Sequence, residues 1–211
     1  MTFFLMAVLS VWVGAAVADE EKAMTKINNP YKLATLAGGC FWCMQPPYDK
    51  LDGVMETKVG YMGGSDKDPT YEEVSTGTTG HAEAVQITYD PSKVSYEQIL
   101  EVFWHNIDPT TLNQQFADVG SQYRTVIFYH DEEQKKIAGE SKKKLAQSGK
   151  FNKPIVTAIE PASTFYPAED YHQRYYRKNE GHYNMYKVGS GRAGFIKNKW
   201  GEAAPQKPPS K

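Results

Sequence analysis

The order of elements legible in this sequence predicts an α+β fold built on a ferredoxin-like split β-α-β core. Three observations carry that prediction. Four short apolar runs, Tyr31–Ala37, Val54–Gly60, Ala82–Tyr89 and Arg124–His130, read as strands. Two stretches, Met44–Leu51 and Ser95–Asn106, read as helices. Their succession along the chain is β-α-β-β-α-β. Beyond this core we expect added helices, a further strand and an irregular C-terminal segment. The whole is one domain over residues 31–202, an ordinary size for a single core.

Before the first strand, residues 1–18 carry no charge, and Ala16-Val17-Ala18 ahead of Asp19-Glu20-Glu21 has the form of a small-residue cleavage site. The pattern predicts a secretory signal peptide, although no Lys or Arg precedes the apolar run. Residues 19–30 are polar and expected to be loose. The first strand ends at Gly38-Gly39. Pro46-Pro47 restricts where the next helix begins, because proline is tolerated in the first helical turn. Cys40 and Cys43 are therefore expected at or just before the helix start, and Gly53 follows its end.

The segment Tyr61–Gly80 is rich in Gly, Asp, Ser and Thr and reads as a long loop with one helical turn near Pro69–Val74. In Ala82–Tyr89 the alternation is clean, and Glu83 shares a face with Val85, Ile87 and Tyr89. Ser95 with Gln98 forms a capping box, and Tyr96, Ile99, Leu100 and Phe103 form the apolar stripe behind it. Asp108-Pro109 stops that helix, and Thr110–Tyr123 is a loop. Asp131 opens a helix with acids first and Lys142-Lys143-Lys144 last, in accord with the macrodipole. Ile155–Ile159 is a fifth strand, Ala168–Lys178 a tyrosine-rich helix, and 203–211 a Pro/Lys tail expected to be disordered.

The formal net charge of −1 argues against a nucleic-acid binder that works by phosphate neutralisation. Both cysteines lie in Gly38-Gly39-Cys40-Phe41-Trp42-Cys43. Residues i and i+3 are neighbours on a helix turn, so the two thiols are close enough to bridge. A helix N-terminus favours a thiolate there, and the intervening aromatics add an apolar wall. The same pair is compatible with a small structural disulfide in a secreted domain. A bridge this short restrains the unfolded chain little, which favours redox use. No second Cys or His pair completes a zinc site. Glu83, on an apolar face, is a candidate proton donor if burial keeps it neutral.

These residues resemble the methionine sulfoxide reductase A family. The resemblance rests on Gly39-Cys40-Phe41-Trp42, Gly60-Tyr61 with Gly63-Gly64, Pro69-Thr70-Tyr71, Thr79-Gly80-His81-Ala82-Glu83-Ala84-Val85, Gly120-Ser121-Gln122-Tyr123-Arg124 and Ala168-Glu169-Asp170-Tyr171-His172-Gln173, in that order. It implies that Cys40 attacks the sulfur of a methionine S-sulfoxide, free or in protein, and that Glu83 protonates the oxygen. It further implies that Tyr71 and Tyr123 bond that oxygen and that Asp118 lies in the surrounding hydrogen-bond network. Phe41, Trp42 and Tyr175 would form the substrate pocket. The sulfenic acid left on Cys40 is resolved by a second thiol. Many members carry that thiol near the C-terminus, whereas Gly181–Gly194 has none here. Cys43 is then the expected resolving residue, with a thioredoxin-like protein as reductant. No cofactor or metal is implied, and a monomer is the default. The rival is a general dithiol-disulfide oxidoreductase, which has no use for Glu83.

Overall fold

The computed structural model describes residues 30–201. The expectations for residues 1–18, 19–29 and 203–211 lie outside them. The core is β1 (Lys32–Gly38), α1 (Phe41–Asp49), β2 (Val54–Met62), β3 (Ala82–Tyr89), α3 (Tyr96–His105) and β6 (Thr125–Tyr129), with α2 (Tyr71–Ser75) between β2 and β3. Strands β4 (Gln114–Gln115) and β5 (Asp118–Val119) form a small separate hairpin. After the core come α4 (Glu132–Gln147), β7 (Ala158–Pro161), β8 (Tyr166–Pro167), α5 (Tyr175–Lys178), α6 (Glu180–Gly189) and α7 (Arg192–Trp200).

The main sheet runs β7-β6-β1-β3-β2-β8. Its central four strands are mutually antiparallel, so β3 lies between β1 and β2, the split arrangement expected from element order. β7 adds in parallel to β6, and β8 adds antiparallel to β2. On one face Leu36, Val85, Ile87 and Ile127 pack with Met44 and Tyr48 of α1 and with Ile99, Leu100 and Phe103 of α3. Glu83 is on that apolar face, as the alternation requires. A separate cluster, Phe41, Val59, Tyr61, Val74 and Ala168, gathers beside the cysteine turn.

Several local expectations are corrected. The first helix begins at Phe41 rather than Met44, and Pro46 and Pro47 lie inside it. Lacking N–H groups, they cannot bond the carbonyls of Trp42 and Cys43. The fifth strand starts at Ala158 rather than Ile155, because Val156 N–H bonds to Pro109 O at 2.8 Å, outside the sheet. The expected helix Ala168–Lys178 is a chain of turns followed by four helical residues, interrupted by Arg174 at φ 51°. The C-terminal segment, expected irregular, holds the helices α6 and α7.

Side chains in those turns bond to distant backbone in place of a helix. Gln173 faces the edge of β2: its Oε1 accepts from Val59 N–H at 3.0 Å, and its Nε2 donates to Val59 O and Ala168 O, each at 2.8 Å. Gln173→Ala leaves the part-buried Val59 N–H without its partner. We expect a stability loss of about 1–3 kcal/mol, measured by urea unfolding as a lower midpoint with an unchanged slope.

Candidate active site

Chain direction places the cysteines. β1 ends at Gly38, Gly39 turns the backbone at φ 79°, and Cys40 is the N-cap of α1. A Cβ on Gly39 would meet Gln115 Cβ at 2.5 Å and Arg192 Nη2 at 2.8 Å, so a side chain is excluded there by space as well as by φ. Cys43 N–H bonds to Cys40 O at 3.0 Å, which fixes the first turn and sets both sulfurs on the same side. Both thiols are free and buried.

The position at a helix N-terminus predicts a favoured Cys40 thiolate. The structure corrects this: burial pushes the Cys40 thiol well up, and its hydrogen bond to Cys43 and the negative charge of Glu83 push it further. Cys43 is on the receiving side of that bond. It is held down at about 7 by the Cys40 hydrogen bond, against burial, with further help from the positive charges of Arg192 and Lys187. Of the two thiols, Cys43 is the one that ionises more readily.

Glu83 enters from β3. It is 3 % exposed, and its Oε2 accepts from Phe41 N–H at 2.9 Å, the amide directly after Cys40. Burial pushes its carboxyl up to about 8, a shift that the Phe41 N–H and Arg192 only partly oppose. At neutral pH the carboxyl is mostly protonated. Tyr71, the first residue of α2, and Tyr123, the last of the 3₁₀ turn Ser121–Tyr123, converge on it. Both hydroxyls are raised, by burial first and then by the charge of Glu83. Tyr71 is seated by the Thr70–Glu73 capping box and by its own N–H, which donates to Glu169 Oε1 at 2.9 Å.

Asp118 comes from the small hairpin and accepts from the Tyr186 hydroxyl at 2.5 Å. Tyr186, on α6, is also within hydrogen-bonding reach of the Cys40 sulfur. The apolar side is built by Phe41 and Trp42. Trp42 stacks on Tyr175 with centroids 3.8 Å apart and planes 7° apart, and meets Tyr186 edge-on at 5.9 Å. Its indole N–H donates to His172 Nδ1 at 3.0 Å, which fixes the ring. His172 is buried and packs against Phe41 and Tyr71 as well.

The structure thus brings together every residue singled out from sequence: Cys40, Cys43, Phe41, Trp42, Tyr71, Glu83, Asp118, Tyr123 and Tyr175. Sequence reasoning missed two. His172 lies in the Ala168–Gln173 motif, but nothing in the sequence links it to Trp42. Arg192 had no signal at all in its Gly-rich surroundings. His81 serves the Gly63–Gly80 loop, accepting from Gly64 N–H and bonding Asp66 O.

A buried dithiol, a neutral carboxyl bonded beside it and an aromatic wall define a thiol-based oxidoreductase whose substrate carries a polar acceptor next to an apolar group. The family model described as peptide methionine sulfoxide reductase matches residues 32–204. A peptide methionine sulfoxide reductase MsrA from Bacillus pumilus is 57% identical over 176 residues, 83% of this chain and 99% of the relative. One from Listeria monocytogenes is 56% identical over 167 residues, 79% of this chain and 94% of the relative. Among solved structures, reduced Mxr1 from Saccharomyces cerevisiae aligns with TM-score 0.69 and 36% identity over 73% of this chain and 88% of its own. Methionine sulfoxide reductase A of Corynebacterium diphtheriae aligns with TM-score 0.64 and 31% identity over 73% and 77%. The chain belongs to the peptide methionine sulfoxide reductase family.

Burial of Glu83 has a measurable cost. In the unfolded chain its carboxyl ionises near 4.5; in the fold it holds its proton to about 8. Its contribution to stability is fully present below 4.5 and is lost as pH rises to about 8. The loss is roughly 4 kcal/mol. Glu83→Gln has no such proton to lose. Its melting temperature is expected to exceed that of the native protein increasingly from pH 5 to 8, after each is referenced to its value at pH 4. A pH-independent difference would show that Glu83 is not buried as a neutral acid.

Proposed function

We propose that this protein reduces the S-sulfoxide of methionine, free or within protein, to methionine by thiol chemistry at Cys40. The observation that carries the reading is the Glu83–Phe41 hydrogen bond, which sets a neutral carboxyl beside the turn that holds Cys40. A sulfoxide seated with its methyl group against Phe41 and Trp42 turns its oxygen toward Glu83, Tyr71 and Tyr123. Glu83 gives its proton to that oxygen, which makes it a leaving group. Tyr71 and Tyr123 donate hydrogen bonds to it. In net terms the oxygen passes from the substrate sulfur to the Cys40 sulfur, so the sulfoxide and the thiol become a thioether and a sulfenic acid. Asp118 holds Tyr186, whose hydroxyl lies within hydrogen-bonding reach of the Cys40 sulfur.

Cys43 is the resolving thiol in this reading. Its thiolate attacks the Cys40 sulfenic acid, the S–S bond forms, and hydroxide departs and leaves as water. A dithiol protein of the thioredoxin kind then reduces the disulfide by exchange, which Cys-x-x-Cys spacing permits. Residues 1–18 support export, so this repair belongs outside the cytoplasm. The protein acts as a monomer.

Single-turnover reaction with each sulfoxide diastereomer, without added reductant, tests the assignment. We expect one equivalent of thioether per protein from the S form alone, with both thiols lost. Cys40→Ser is expected to give none. Glu83→Gln should slow product formation roughly 10²–10⁴-fold. Cys43→Ser should give one turnover and then stop when only a thioredoxin-like reductant is supplied; normal cycling of that variant would remove Cys43 from its role.

A further inference from the structure

Arg192, the first residue of α7, is 1 % exposed. Among the described residues it makes no ion pair with a carboxylate. Its guanidinium donates to Gly38 O at 3.0 Å, to Asn106 O at 2.6 Å and to Met44 Sδ at 3.4 Å, and lies 4.8 Å from the centre of the Phe116 ring. Those partners bracket the cysteine turn. Gly38 is two residues before Cys40, Met44 directly follows Cys43, and Asn106 is the C-cap of α3. A buried guanidinium without a counter-ion is costly, and three neutral acceptors only partly offset that. Its charge bears on the Cys43 thiolate and also on the carboxyls of Glu83 and Asp118; of these three, Cys43 belongs to the turn that its hydrogen bonds hold.

We propose that Arg192 is a positioning residue for disulfide formation: it holds the turn through Gly38 and supplies the positive charge that readies Cys43 to attack the Cys40 sulfenic acid. The inference rests on Cys43 being the resolving thiol. The step it assists is balanced as given above: Cys43 sulfur donates the electron pair, the S–O bond of the sulfenic acid breaks, and hydroxide takes a proton to leave as water. The groups that bear on Cys43 come from every neighbouring element. They are Cys40 at the N-cap, Glu83 from β3, Asp118 from β5, Tyr183 and Lys187 from α6, and Arg192 from α7. Asp118 opposes the thiolate, whereas Lys187 and Arg192 favour it, and Arg192 is the one of the two that is fully buried and hydrogen-bonded to the turn.

The test compares Arg192→Met and Arg192→Lys in the full chain. In single turnover with S-sulfoxide, thioether release and thiol loss are followed separately in time. Arg192→Met is expected to separate the two events, with the second thiol disappearing about fivefold later at pH 7 than in the native protein, the effect of about one unit in the Cys43 ionisation. Arg192→Lys should restore most of the rate. In a Cys40→Ser background, ultraviolet absorbance of the thiolate against pH should show Cys43 ionising about one unit higher in Arg192→Met and near its native value in Arg192→Lys. If Arg192→Met does not fold, Arg192→Gln keeps donors for the carbonyls, removes the charge and serves in its place. An unchanged Cys43 titration and an unchanged interval between the two events, with only a lower melting temperature, would make Arg192 a structural brace and overturn the proposal. Loss of a single thiol in the native protein would instead remove Cys43 as resolver before any variant is tested.

Discussion

The site depends on one hydrogen bond across the fold, from Phe41 N–H to the Glu83 carboxyl. Phe41 opens α1, and Glu83 lies near the start of β3, so the bond ties the cysteine turn to the strand that separates β1 from β2. Strand β3 keeps Glu83 on the helix-covered face because the period of the strand leaves it no other. Desolvation keeps the carboxyl neutral, and the one N–H it receives is too weak to reverse that. The neutral carboxyl is therefore a consequence of sheet topology more than of any special residue near the acid.

Around that bond the chain assembles two unlike surfaces. The polar one is Glu83, Tyr71 and Tyr123, drawn from a strand and two loop turns. The apolar one is Phe41, Trp42 and Tyr175, kept rigid because the Trp42 indole is bonded to His172 and stacked on Tyr175. Both surfaces meet at Cys40. The residues that hold them in place come from the C-terminal quarter of the chain: Glu169 and His172 in the turns, Tyr175 in α5, Tyr186 in α6 and Arg192 in α7. This explains why the segment takes up turns and short helices instead of the one long helix its composition suggests. Glu169 and Gln173 are committed to Tyr71, Tyr61 and the edge of β2.

The core was legible in the sequence where the physics is local. Alternation in Ala82–Tyr89 gave the strand and the inward face of Glu83, and the Ser95–Gln98 capping box gave the start of α3. The cysteine turn was legible as a unit because Gly39, Cys40 and Cys43 are close in sequence. What was missed depends on contacts between distant segments. Arg174 in a left-handed conformation, the Trp42–His172 bond and the buried Arg192 have no local signature. The Cys40 thiol was misjudged for the same reason: the helix N-terminus is a local feature, and the burial that outweighs it is not. The start of α1 at Phe41 was misjudged because prolines in its second turn are tolerated once Tyr48 and Met44 anchor the helix in the core.

The four-residue span from Cys40 to Cys43 also bears on how oxidation and folding are linked. Folding stability and reduction potential form one thermodynamic cycle: whatever a disulfide adds to the fold, the fold returns by making that disulfide harder to reduce. Two cysteines already adjacent in the unfolded chain leave little loop entropy to remove, so the chain-restraint part of this coupling is small. With Cys43 as the proposed resolving thiol, oxidised and reduced forms would alternate without the fold strongly favouring either. A bridge to a distant cysteine would have acted as a staple, and each catalytic cycle would have had to undo it.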